Sequence, residues 1–153
     1  LLAAWWNLGQ VMKRHVAPML EREHGADFKD FVALNAIESG SNYPRLMCER
    51  LAMTPSGISR MLDDLVKRDL VKRALDPHDS RRVQLHITPR GEAVLSATKR
   101  TMLGLLERGL SALPEAQVQL FADTLQQLSD TLTHAAEEAE SSKTPASPES
   151  EST

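Results

Sequence analysis

Apolar residues recur at intervals of three and four from the start of the chain, at Leu1, Trp5, Leu8, Met12, His15 or Val16 and Met19. That spacing predicts one long amphipathic helix from Leu1 to about Glu23, closed by Gly25. Asp27 is a good N-cap for a second helix through Phe31, Leu34 and Ile37, which stops at Ser39-Gly40. Tyr43-Pro44 opens a short third helix containing Leu46, Cys48 and Leu51, with Pro44 suited to the first helical position. Thr54-Pro55 repeats the start signal. The helix after it carries Ile58, Leu62 and Leu65 on one face and Ser56, Ser59, Arg60, Asp63 and Lys67 on the other. Only Ala52 and Met53 precede the Thr54 cap, so these two helices must form a tight helix-turn-helix.

The period then changes. Val71 to Ala74 and Val83 to Ile87 read as two short strands, the second with Val83, Leu85 and Ile87 inward and Gln84 and His86 outward. The polar turn Asp76-Pro77-His78-Asp79-Ser80-Arg81-Arg82 joins them into a wing with basic residues near its tip. Thr88-Pro89 starts a further helix, reaching about Leu110 through Val94, Leu95, Met102, Leu105 and Leu106, and Leu113-Pro114-Glu115 breaks it. In the last helix Val118, Phe121, Leu125, Leu128, Leu132 and Ala135 alternate steps of three and four without a miss. Residues 139–153, rich in Glu, Ser and Pro, are expected to be a disordered tail. The predicted fold is mostly α with a small β-hairpin wing, a winged helix-turn-helix flanked by long helices.

Composition narrows the function. Aromatic residues make up only 4% of the 153-residue chain, which agrees with helices dominating a single compact domain. Cys48 is the sole cysteine, so no internal disulfide can form, and a reducing cytosolic setting is expected. The apolar start turns polar at Asn7, too short for a signal peptide or membrane span, which favours a cytoplasmic protein without membrane partners. Net charge is −3, but residues 43–91 hold ten basic residues against six acidic ones, leaving −7 for the remainder. A basic middle between acidic ends suits a lobe that meets phosphates. There is no Gly-rich phosphate loop and no nucleophile motif, and His15, His24, His78, His86 and His134 show no close ligand pair. An enzyme, a cofactor and a metal site are therefore not expected.

A helix-turn-helix lays its second helix in the major groove, where small hydroxyls permit close approach and an arginine can fork onto guanine O6 and N7. Ser56, Gly57, Ser59 and Arg60 meet that need, and the Thr54 cap leaves backbone N–H groups able to hold a phosphate. Lys67 and Arg73 add positive charge to the same set. An arginine at the end of a narrow hairpin can enter the minor groove, where the negative potential favours guanidinium. Arg81 and Arg82 are placed for this, and Asp79 could brace Arg81 in an extended pose.

Thr54-Pro-Ser-Gly-Ile-Ser-Arg-Met-Leu-Asp-Asp-Leu-Val-Lys-Arg-Asp-Leu-Val-Lys-Arg73, Asp76-Pro-His-Asp-Ser-Arg-Arg82 and Ile87-Thr-Pro-Arg-Gly91 together resemble the recognition helix, wing and following helix start of the MarR (multiple antibiotic resistance regulator) family. The pairing of Asp79 and Arg81 with Thr88-x-x-Gly91 is the most specific part. Two departures stand out. Asp69 occupies the position where the family usually has a glycine ending the recognition helix, and Asp64 one where a basic residue is common. The resemblance implies a single domain over residues 1–138, with dimerisation helices at 1–24 and 92–138 and a winged helix-turn-helix lobe at 27–91. It further implies an intertwined homodimer on a palindromic double-stranded DNA operator, with half-sites about ten base pairs apart. Repression released by a small ligand, often an aromatic acid, is the family default. Trp5, Trp6, Met12, Arg14, His15 and Phe31 are the candidate lining of such an effector pocket.

The rival from another class is a winged-helix module that docks on a protein and never reads DNA; it predicts a wing without arginines and an apolar recognition face. Cys48 lies in the third helix, away from the start of the first helix where peroxide-sensing members keep their reactive cysteine.

Overall fold

The structure, a computed structural model, describes residues 1–141, with 137 and 139–141 as backbone only. The chain forms two compact units, Leu1–Leu105 and the segment from Leu106 onward.

The first unit opens with α1 (Leu2–Val11), a π-helical turn (Met12–Val16) and α2 (Ala17–His24) in place of one regular helix. Pro18 explains the interruption. It has no N–H to give the Arg14 carbonyl and its ring crowds that oxygen, and the turn relaxes by letting the Ala17 N–H bond Met12 five residues back. Gly25, at φ 65°, ends α2 in the left-handed conformation that a residue without Cβ adopts at least cost. The Asp27 side chain then caps α3 (Phe28–Glu38) by accepting from the Asp30 N–H at 2.9 Å, while Asp30 accepts from the Asp27 N–H at 2.9 Å.

Helix α4 (Pro44–Leu51) begins at proline after extended Tyr43, and α5 (Pro55–Lys67) after Thr54, as expected. In α4 it is Met47 that is fully buried, whereas Leu46 is exposed. A helix of two turns presents one position squarely to the core, and Leu46 lies about 100° round from it. Strands β1 (Val71–Leu75) and β2 (Val83–Ile87) pair antiparallel from Val71↔Ile87 to Leu75↔Val83. The expected inward set of β2 holds for Leu85 and partly for Ile87, but Val83 is exposed because the hairpin runs past the core at that end. The Leu85 N–H bonds the Asn42 carbonyl at 2.8 Å, so the chain entering α4 lies along the free edge of β2.

Leu34, Ile37, Met47, Ile58, Leu62, Leu65, Leu70, Val71, Leu85 and Leu95 are the larger members of the core cluster. Each fully buried leucine contributes about 1.5–3 kcal/mol relative to exposure. Helix α6 (Pro89–Leu110) joins that core through Leu95 and Thr98, and His24 Nε2 lies 2.8 Å from the Thr101 hydroxyl. Its start explains the Thr88-x-x-Gly91 spacing. The Thr88 hydroxyl accepts from the Gly91 N–H at 3.0 Å and donates to the Asp69 carbonyl at 2.6 Å, while a Cβ on Gly91 would sit 2.1 Å from the Leu70 carbonyl oxygen. No side chain fits there.

In the second unit, α7 (Glu115–Ser141) follows the break at Pro114. It runs past the point where the tail was expected to begin. Residues 139–141 are helical, in keeping with the strong helix formers Ala135, Ala136, Glu137, Glu138 and Ala139 that lead into them. Residues 142–153, the remainder of the expected tail, lie outside the described residues. Phe121, Leu125, Leu128 and Leu132 on the periodic stripe are all exposed, as are Trp5, Trp6 and Leu8 on α1.

Candidate nucleic-acid interface

Between α4 and α5 the chain reverses at Ala52, which adopts φ 49°. A residue with a Cβ in that conformation costs about 1–2 kcal/mol, which the packing of Met47 and Ile58 on either side offsets. Thr54 then caps α5 by accepting from the Gly57 N–H at 3.2 Å. Gly57 is half-buried, and a Cβ there would meet the Thr54 hydroxyl at 3.2 Å and Met53 at 3.3 Å, so its small size accommodates the cap itself. Ser56, Ser59, Arg60 and Lys67 lie exposed on α5, opposite buried Ile58, Leu62 and Leu65. Arg60 Nε donates back to the Ser56 carbonyl at 3.4 Å, a weak bond that leaves the guanidinium end in solvent.

The far end of α5 departs from expectation in an informative way. Asp69 does take the left-handed turn, at φ 58°, and the Leu70 N–H closes onto the Leu65 carbonyl at 2.9 Å. Asp64 is not a free charge on the recognition face, because it pairs with Arg68 at 2.7 Å. Arg73 is likewise engaged: its Nη1 meets Asp63 of α5 at 2.8 Å and ties β1 to that helix.

The wing is braced from within. Buried Asp76 accepts the Tyr43 hydroxyl on one carboxylate oxygen and the N–H groups of His78 and Asp79, at 2.7 and 3.2 Å, on the other. The phenol and these N–H groups hold the Asp76 carboxyl below the usual carboxylate range, and the same bond to Asp76 raises the Tyr43 phenol above its ordinary value. Asp79 accepts from the Arg81 N–H at 3.1 Å, but its carboxylate lies 3.9 Å from Arg82 Nε, so it braces the loop backbone and Arg82 and not the Arg81 guanidinium. Arg82 is also held 5.6 Å from the centroid of the Tyr43 ring, in cation–π contact. Arg81 is exposed at the tip and takes part in none of the ion pairs among the described residues.

The wing and α5 thus bring together Thr54, Ser56, Ser59, Arg60, Lys67 and Arg81 as exposed groups, with Arg73, Asp79 and Arg82 as their braces. Clefts of about 500 and 570 Å³ flank the hairpin, lined by Tyr43, Arg82 and Val83 in one and by Cys48, Ser59 and Arg73 in the other. The candidate effector residues are not brought into one cavity. Met12 lines a cleft of about 440 Å³ with Lys13, Phe28 and Lys29, Phe31 packs on the core, and Trp5, Trp6, Arg14 and His15 are exposed. Sequence reasoning missed Tyr43, Asp76 and Arg68 as braces. Tyr43 and Asp76 are 33 residues apart and Arg68 and Asp30 38, beyond any local pattern, and the Asp27–Asp30 capping box was read only as far as its Asp27 half.

Two helices joined at a tight turn, the second amphipathic with a polar outer face, followed by a braced hairpin and a long helix, define a winged helix-turn-helix. Residues 24–82 match the MarR family. No curated protein matches the chain. Among solved structures, the S. aureus MepR–DNA complex is 16% identical with a TM-score of 0.70, over 86% of this chain and 98% of that one. Apo wild-type MarR from E. coli is 20% identical with a TM-score of 0.66, over 84% and 96%. The PcaV transcriptional regulator of Streptomyces coelicolor, in complex with its natural ligand, is 22% identical with a TM-score of 0.60, over 80% and 89%. At these identities the likeness is one of fold.

Proposed function

We propose that this protein is a cytoplasmic, homodimeric, sequence-specific DNA-binding transcriptional regulator, acting as a repressor that a small aromatic acid releases. The observation that carries the reading is the pairing of an exposed Ser56-Ser59-Arg60 face on α5 with the exposed Arg81 at the end of a hairpin whose backbone is fixed by Asp76 and Asp79. A groove-reading helix needs exposed hydroxyls and a free guanidinium, and a minor-groove arginine needs a rigid stalk. The likeness in fold to MepR, solved on DNA, supports it. Dimerisation is supported by the exposed apolar stripe of α7 and the exposed Trp5, Trp6 and Leu8 of α1. Trp5, Trp6, Met12, Arg14, His15 and Phe31 remain the proposed effector lining, with PcaV as a ligand-bound example of the fold.

The test is selection of bound fragments from genomic DNA by the purified protein at two salt concentrations. A palindromic motif recovered with steeply salt-dependent affinity is expected, because binding releases the counterions of the contacted phosphates. Recovery of no enriched sequence, with no salt-sensitive binding, would overturn the reading in favour of a protein-docking module.

A further inference from the structure

Arg68 is one of the more enclosed cations of the lobe, and its contacts span three elements. As the C-cap that follows α5 it reaches back to the α2–α3 corner: Nη1 donates to the Gly25 carbonyl at 3.1 Å and to Asp30 Oδ2 at 2.9 Å, and Nη2 meets Asp30 Oδ1 at 2.5 Å. Asp64, one turn earlier on α5, closes the cluster at 2.7 Å from Nη2. Asp30 is buried to 8% exposure, and the same Oδ2 also accepts the Asp27 N–H of the α3 cap. The Arg68 Nε is buried with no hydrogen-bond partner among the described residues, so the fork ends alone fix the guanidinium. The planar fork holds both oxygens of one carboxylate and a carbonyl from two separate nitrogens, a geometry that the single nitrogen of a lysine ammonium does not reproduce.

We infer that Arg68 is a positioning residue for DNA reading, a latch that fixes the C-terminal end of α5 to the end of α2 and the start of α3, so that displacement of the N-terminal helix reaches the recognition helix through it. It acts at the end of α5 remote from the Thr54 cap, 14 positions along the chain, and its charge is spent on Asp30 and Asp64 instead of on phosphate. The inference rests on the DNA-binding reading for its consequence, but the latch itself is testable without DNA.

Arg68→Lys and Asp30→Asn serve as variants, the second keeping an acceptor for the α3 cap. Amide hydrogen exchange on the folded proteins is expected to accelerate together at residues 25–30 and 65–70 in both; exchange unchanged at either segment would overturn the latch. Affinity is then measured well below the melting temperature, on a duplex that the wild-type protein recovers from a random library. A loss of about tenfold is expected, with the salt slope kept. A slope reduced by about one would instead make Arg68 a phosphate contact, and unchanged affinity would make the cluster purely structural; either result overturns the positioning role. If the wild-type protein recovers no duplex, the DNA reading fails, and the exchange data still decide the latch.

Discussion

Helices α5 and α7 carry the same kind of apolar stripe, with steps of three and four, and meet opposite ends. On α5, Ile58, Leu62 and Leu65 are buried to 1% exposure or less, whereas on α7 Phe121, Leu125, Leu128 and Leu132 are 40–57% exposed. The difference lies in what surrounds the stripe. Within a few tens of residues on either side, α5 has α4, β1 and the α3 helix to cover it, and its polar face is free to act. Among the described residues the stripe of α7 stays exposed, and a second copy of the chain is the occupant we propose. A periodic stripe therefore states that a helix will bury one face, and not against what.

The largest effect that would break this contrast is expected in α5. Leu62→Ala should lower stability by about 2–5 kcal/mol, through lost transfer energy and the cavity left behind, as read by denaturant titration. A loss under about 1 kcal/mol would mean that the α5 stripe is no better packed than that of α7. Next is Leu128→Asp. It should leave the fold of the first unit intact but convert the dimer to a monomer in analytical ultracentrifugation, because a charge in the middle of an apolar seam is desolvated without a partner. A dimer that persists would show that α7 is not the seam.

The smallest effect separates the braced wing from the neutral stripe by pH. Asp76 is held below its ordinary range in the folded protein, so its contribution is fully present above the unfolded value of about 4 and is lost as pH falls through the lower folded value. Acid should therefore release wing amides before α7 amides in hydrogen exchange, and Tyr43→Phe should move that release to higher pH. Coincident release in the wild-type protein would remove Asp76 as the anchor.

What was legible in the sequence follows the same division. Helix starts at Asp27, Pro44, Pro55 and Pro89 could be read because caps and prolines act over three or four residues. So could the exposed face of α5, because the period alone assigns it. The π-helical turn at Met12–Val16 could not be assigned from periodicity, although Pro18 was its visible cause. The exposure of Val83 and Leu46 depends on how far the core extends, which is a property of the packed lobe. The partnerships of Asp64, Arg73 and Asp79 were misjudged or missed for a different reason. Asp64–Arg68 and Asp79–Arg82 stand four and three residues apart, a spacing that permits a pair without requiring one, whereas Arg73–Asp63 joins a strand to a helix ten residues back, which linear spacing does not predict.

The contact between Gly91 and the Leu70 carbonyl has a mechanical meaning beyond its role in capping. There the main chain leaving α5 meets the base of α6 directly, with the Ile87 side chain at the end of the hairpin beside the contact, and Thr88 stitches all three together. Such a joint has no slack. The 22 residues of α6, a rise of about 33 Å, start from that contact. The smallest residue in the chain thus sets how closely α6 can start against the turn that follows α5.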